Sequence, residues 1–149
     1  MEWLNDLRGG IVAVDTAPFI YFVERHPTHS TALLPFFQAL DAGEIFGVTS
    51  ILTVVEVLVQ PLRRGDIELA NKYRDILLGA RHLKTLELSR DIAEEAARLR
   101  AVHNFQTPDA MQLATAVCAG AIAFVTNDAA LKSISTVRVI HLDDLMKAL

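Results

Sequence analysis

The sequence predicts an α/β fold, a three-layer α/β/α domain with a central parallel sheet. Three observations carry that prediction. Short candidate strands, Ile11 to Val14, Ile45 to Val48, Leu83 to Leu86, Ile122 to Val125 and Val137 to Ile140, alternate with longer stretches of helical character. The clearest of these strands are apolar throughout rather than alternating, which suits a parallel sheet covered on both faces. The 149 residues are 52% hydrophobic, enough for one domain spanning 1–149 with a real core and too short for two comfortable ones.

Each element has a local reason. Gly9-Gly10 leads into the first strand, and Pro18 suits the first turn of the helix after Asp15, where its missing N–H costs nothing. That helix should run to about Arg25, with Pro27 closing it. A second helix is expected from Thr28 or Ser30 to Leu40, with Pro35 an irregularity inside it, and Asp41-Ala42-Gly43 then turns the chain into the strand from Ile45. Thr49-Ser50 can cap the next helix, which carries Val54, Val55, Glu56, Val57 and Leu58 and is expected to end at Pro61. Another helix spans Asp66 to Leu78. Ser89 caps a long helix, Arg90 to Val102, with Ile92, Ala93, Ala96 and Leu99 on helical spacing. Thr107-Pro108-Asp109 reads as a strong helix start: a hydroxyl cap, proline at the first position, and a carboxylate near the positive end of the dipole. A final helix begins at Leu142.

Composition excludes several classes of function. The net charge of −4 argues against binding nucleic acid over the whole surface, although a metal-dependent nuclease offsets acidic charge locally. Cys118 is the only cysteine, so intramolecular disulfides are impossible and the cytoplasm is the expected compartment; its neighbours Val117 and Ala119 suggest a small buried residue. The segment from Met1 to Asp6 lacks the basic start and apolar stretch of a signal peptide. The most apolar region, Ala110 to Val125, is interrupted by Gln112, Thr115 and Gly120 and falls short of the roughly 20 residues that span a bilayer.

Acidic residues stand at the joints of the chain. Asp15 ends the first strand, Asp128 follows the strand from Ile122 with Thr126 and Asn127 between, and Asp109 opens the helix leading into that strand. Ligands of an open α/β sheet collect beyond the carboxyl ends of its strands. The helix from Asp109 and the returning strand cover similar distances, so Asp109 belongs at the same edge as Asp128. Carboxylates gathered from remote segments repel one another unless a cation relieves them, so these read first as a divalent-metal site. Glu56, about 9 Å down its helix, is not brought to that edge by spacing alone.

Four segments together resemble the PIN-domain family, particularly its small VapC-like toxin ribonucleases. They are Val14-Asp15-Thr16, Thr49-Ser50 through Glu56-Val57, Thr107-Pro108-Asp109 through Ala116, and Phe124-Val125-Thr126-Asn127-Asp128, in family order over nearly the whole chain. The resemblance implies a metal-dependent endoribonuclease in which Asp15, Glu56, Asp109 and Asp128 hold Mg²⁺ or Mn²⁺ and RNA is cleaved. It further implies a homodimer and, for a toxin, an antitoxin whose peptide occludes the acids. Two departures stand out: Ala17 replaces a small polar residue, and Ala129-Ala130-Leu131 follow Asp128 where some relatives carry a further acid.

Each site residue has a plainer alternative. Asp15 and Asp109 suit helix starts, Asp128 suits a turn, and Glu56 a solvent-facing position. Thr126 is a candidate for orienting a carboxylate, with an ordinary strand end as the alternative. Asn127 is a candidate phosphate contact or a turn residue, and Thr16 an orienting group or a cap. His26 and His29 lack a third zinc ligand, His103 reads as structural, and Asp91, Glu94 and Glu95 read as a solvated helix face. The basic stretch Arg63, Arg64, Lys72, Arg74, Arg81 and Lys84 is either an RNA contact or the wet side of surface helices. Tyr21, Phe22, Phe36 and Phe37 either fill the core or line a groove for a partner peptide. Two rival functions remain: a non-catalytic protein-binding module on the same fold, and a phosphotransfer domain built on Asp15. The second is weakened by Ala17, where such a domain needs a second acid.

Overall fold

The computed structural model describes residues 2–147; Met1, Ala148 and Leu149, the expected ends of the domain, lie outside the described residues. The elements in order are α1 (Glu2–Asn5), β1 (Ile11–Val14), α2 (Thr16–Val23), α3 (His29–Asp41), β2 (Phe46–Ser50), α4 (Ile51–Arg64), α5 (Ile67–Gly79), β3 (Leu83–Leu86), α6 (Arg90–Val102), α7 (Thr107–Cys118), β4 (Ala123–Thr126), β5 (Arg138–His141) and α8 (Leu142–Met146), with a 3-10 turn at Ala129–Ser133. All five strands are parallel, in the order β3-β2-β1-β4-β5. The chain winds outward from β1 through β2 to β3, then returns to the other side of β1 for β4. The order therefore reverses beside β1, and the crevice beyond β1 and β4 is where such a sheet opens a site.

The strand pleat divides the core in two. Val12, Val14, Ala123 and Val125 face a cluster with Phe19, Leu33, Phe36 and Tyr73, while Ala13, Val48 and Phe124 face Ile92, Leu99, Leu113 and Ala114. Successive strand residues point to opposite faces, so one apolar run serves both layers. The expected α/β/α layering is observed.

Several expected details are corrected. α4 does not end at Pro61: it runs on to Arg64, and Gly65 stops it with a left-handed φ of 67°. Proline forfeits one bond to the preceding turn, but Pro61 is buried, and the packing of α4 on α5 offsets that loss. Pro35 is likewise carried inside α3. Gly65→Ala is expected to cost about 1–2 kcal/mol in urea denaturation, the penalty for a Cβ in that conformation, without touching the acids.

Thr107 is not the cap of α7; Gln106 occupies that position without a side-chain bond, and Pro108 is the second helical residue. The Thr107 hydroxyl is engaged instead by Arg100, whose Nη1 donates to it at 2.8 Å while Nε donates to the Phe105 carbonyl at 3.0 Å. Cys118 is exposed rather than buried: it is the last residue of α7, past the buried run Gln112 to Ala116. Glu95 is buried and Ala93 exposed, the reverse of expectation: the inward stripe of α6 is Ile92, Glu95, Ala96 and Leu99, and Glu95 pairs with Arg98 at 2.6 Å.

Candidate active site

Asp15 directly follows β1 and caps α2. Its Oδ1 accepts from the Thr16 N–H at 2.8 Å, and its Oδ2 accepts from the Thr126 hydroxyl at 2.7 Å. Thr126 ends β4 and is fully buried, and its oxygen in turn accepts the Asp128 N–H at 3.0 Å. One hydroxyl thus ties together the two acids that follow adjacent strands. Asp128 also caps the 3-10 turn, accepting from the Ala130 N–H at 3.0 Å, so its turn role and its place at the crevice coexist. Asn127 points elsewhere: its Nδ2 donates to the Tyr21 hydroxyl at 3.0 Å.

Glu56, which spacing alone left unplaced, faces the same crevice. Its Oε1 accepts from the Thr16 hydroxyl at 2.9 Å, and the Gln112 amide lies 3.5 Å away. Ser50 caps α4 through Leu52 N–H, and α4 then presents Thr53 and Glu56, one turn apart, toward α2 and α7. Asp109 stands in the first turn of α7, three residues before Gln112 and so on the same side of that helix.

Neighbouring acids add to the effect of burial on Asp15 and Asp109. The Asp15 carboxyl is held above the usual carboxylate range mainly by burial, reinforced by Asp109 and Glu56 and partly opposed by its bonds from Thr126 and Thr16. Asp109 is raised by burial and then by Asp128 and Glu56. Among the described residues, no three His, Cys, Asp or Glu side chains stand close enough together to hold a metal ion as placed. The donor chemistry nevertheless fits a hard divalent cation: oxygen only, high negative charge, and two carboxyls held against ionisation.

Beneath the acids lies a polar network that spacing did not reveal. Thr16, Thr49, Thr53 and Gln112 are all buried there, linked by contacts of 2.9 to 3.3 Å. In sequence, Thr49 offers a helix cap and Gln112 interrupts an apolar run, and both fall within segments that resemble the family. The pairs Thr53/Glu56 and Asp109/Gln112, each three apart on a helix, were the clue.

The remaining candidate residues lie outside the crevice network. His26 and His29 pack with Tyr21, which stacks on His29 at 5.1 Å. Burial, followed by the nearby His26, lowers the His29 pKa. His103 stacks on Phe105. Arg63, Arg64, Lys72, Arg74, Arg81 and Lys84 are all exposed. Phe36 is buried in the core, whereas Phe22 and Phe37, stacked at 4.2 Å, line an apolar cleft of about 310 Å³ with Val23, Leu40, Ile76 and Leu83. No helix among the described residues is long and apolar enough to cross a membrane.

The fold is shared with chains from toxin–antitoxin structures. A chain of VapBC2 from Rickettsia felis, bound to a promoter DNA fragment, superposes with a TM-score of 0.71 at 18% identity, over 88% of this chain and 98% of that one. A chain of a toxin–antitoxin complex from Klebsiella pneumoniae gives 0.68 at 23% identity, over 88% and 97%. VapC20 of Mycobacterium tuberculosis, a sarcin-ricin loop cleaving toxin, gives 0.63 at 18% identity, over 85% and 98%. No curated protein matches the sequence significantly. The sequence itself matches the PIN domain over residues 12–137, a span that takes in Asp15, Glu56, Asp109 and Asp128 and the strands β1 to β4 save the first residue of β1, and that stops just before β5. The chain belongs to the PIN-domain family.

Proposed function

We propose that this protein is a metal-dependent endoribonuclease and the toxin of a toxin–antitoxin pair. The observation that carries the reading is the hydrogen-bonding at the crevice beside β1, where the Thr126 hydroxyl links Asp15 to the Asp128 backbone and the Thr16 hydroxyl holds Glu56 beside them. Asp15, Glu56, Asp109 and Asp128 would hold one or two Mg²⁺ or Mn²⁺ ions by oxygen ligands. When bound, the cation would lower the pKa of water and neutralise charge developing on the phosphate. The chain's own groups set the stage for that chemistry. Thr126 fixes the rotamer of Asp15, Thr16 aims Glu56, and the first turn of α7 carries Asp109. The expected products carry 5′-phosphate and 3′-hydroxyl ends.

The toxin reading draws on the structural relatives and on the apolar cleft lined by Phe22 and Phe37, which supports docking of an antitoxin peptide. Val55, Val59 and Leu62, exposed along one side of α4, support a homodimer. The unpaired Cys118 agrees with a reducing cytoplasm. The same cleft also favours a second reading, a non-catalytic binding module, in which the acids need hold no metal.

Incubation of the protein with structured RNAs separates the two. The nuclease reading expects cleavage with Mn²⁺ or Mg²⁺, none in EDTA, and 5′-phosphate ends. Unchanged RNA in every metal, with Mn²⁺ left unbound, supports the binding module. Expression without an antitoxin is expected to arrest growth; neutral growth despite metal-dependent cleavage would leave a nuclease that is not a toxin.

A further inference from the structure

The network under the acids has a fixed proton order. The Val14 carbonyl can only accept, so the Thr49 hydroxyl spends its proton there, at 2.8 Å. The 2.9 Å contact between Thr49 and Thr53 then requires Thr53 to donate. On the other branch, the Thr16 hydroxyl spends its proton on Glu56 Oε1 at 2.9 Å. Thr16 and Thr53 approach to 3.1 Å with both protons committed elsewhere, so neither can donate to the other. One group has protons to spare: the Gln112 amide, whose Nε2 lies 3.0 Å from Thr53 and 3.3 Å from Thr16. An amide oxygen in that place would face two acceptors and a carboxylate. Gln112 must therefore present its nitrogen, and it supplies both branches.

The geometry points to Gln112 as a positioning residue that, through Thr16 and Thr53, fixes Glu56 for cation binding. This rests on the nuclease reading of the site. Gln112 is buried on α7, three residues after Asp109, while Glu56 is on α4 and Thr16 on α2. The amide thus joins the three helices that carry three of the acids, α2 being capped by Asp15. Without its two N–H groups, Thr16 is free to turn its proton toward Thr53 and release Glu56 to solvent. Buried networks of this kind fail as units, because each orphaned member is left without water to replace its partner.

The test uses the full chain and two shape-conserving variants, Gln112→Met and Thr53→Val, with circular dichroism as the check on folding. Each is expected to weaken Mn²⁺ binding, read by electron paramagnetic resonance, by about tenfold, and to lower kcat on RNA by about tenfold or more with KM within about twofold. Thr53→Ser is expected to recover most of what Thr53→Val loses. Adding Gln112→Met to Glu56→Gln is expected to cause no further loss of Mn²⁺ affinity, since the amide acts through Glu56. Folded Gln112→Met with wild-type Mn²⁺ affinity and kcat overturns the proposal while leaving the nuclease standing; Thr53→Val decides in the same way if Gln112→Met does not fold. Wild-type protein that neither binds Mn²⁺ nor cleaves RNA overturns the nuclease reading itself.

Discussion

Asp15→Asn is expected to abolish cleavage and, in the absence of metal, to stabilise the fold. The loss of activity should exceed about a hundredfold, since disturbing partners one step removed from a metal already costs roughly 10–100-fold. The gain in stability follows from the environment of Asp15. Burial and the charges of Asp109 and Glu56 raise its pKa, so its ionised form is disfavoured in the folded state. Asparagine keeps the acceptor that caps α2 and removes the charge. A gain of about 1 kcal/mol, roughly 3 °C in Tm, is expected at pH 7 in EDTA.

The pH dependence has a definite sign. A carboxyl whose folded pKa is raised contributes stability below its unfolded value, about 3.9, and loses it as pH rises through the folded value. Asp15 and Asp109 both behave this way. Metal-free wild type should therefore lose their contribution as pH rises above about 4, and Asp15→Asn should flatten that slope. Denaturant melts in EDTA at several pH values check this; equal slopes for the two proteins would contradict it.

Phe124→Ala is expected to cost about 3–5 kcal/mol, a large share of the roughly 5–15 kcal/mol that holds a domain folded. Phe124 is 1% exposed in the middle of β4, packed among Ala13, Val48, Leu113 and Ala114. Those neighbours are small or held on packed elements, so the space cannot easily collapse. The residue also stands two positions before Thr126 on the same face of β4, so a shift there disturbs the hydroxyl that joins Asp15 to Asp128. A fall in Tm of roughly 10 °C is expected. Phe46→Ala, at a strand end and 46% exposed, is expected to cost under about 1 kcal/mol. Similar melting of the two variants would contradict this account of the core.

The layering and the order of elements were legible because period and punctuation agreed. Continuous apolar strands, Ser50 and Ser89 as caps, and the turn at Asp41-Ala42-Gly43 are each read from residues adjacent in sequence. What was missed depends on partners far away. Pro61 looked like a stop because its buried neighbours on α5 were invisible. Glu95 and Ala93 exchanged places because helical spacing alone admits either beside Ile92 and Ala96. At the site, Asp15, Asp109 and Asp128 were placed by topology, whereas Glu56 was supplied by family resemblance. Gln112 and Thr53 went unrecognised because their meaning lies in contacts 59 residues apart.

Manganese binding tests the central claim, that the four acids form one cation site, most directly. Mn²⁺ would be titrated into wild type, Asp15→Asn and Asp109→Asn, with free ion followed by electron paramagnetic resonance. Saturable binding to wild type that is sharply weakened in both variants is the expected result. Binding of equal strength in all three proteins, or none to folded wild type, would contradict it.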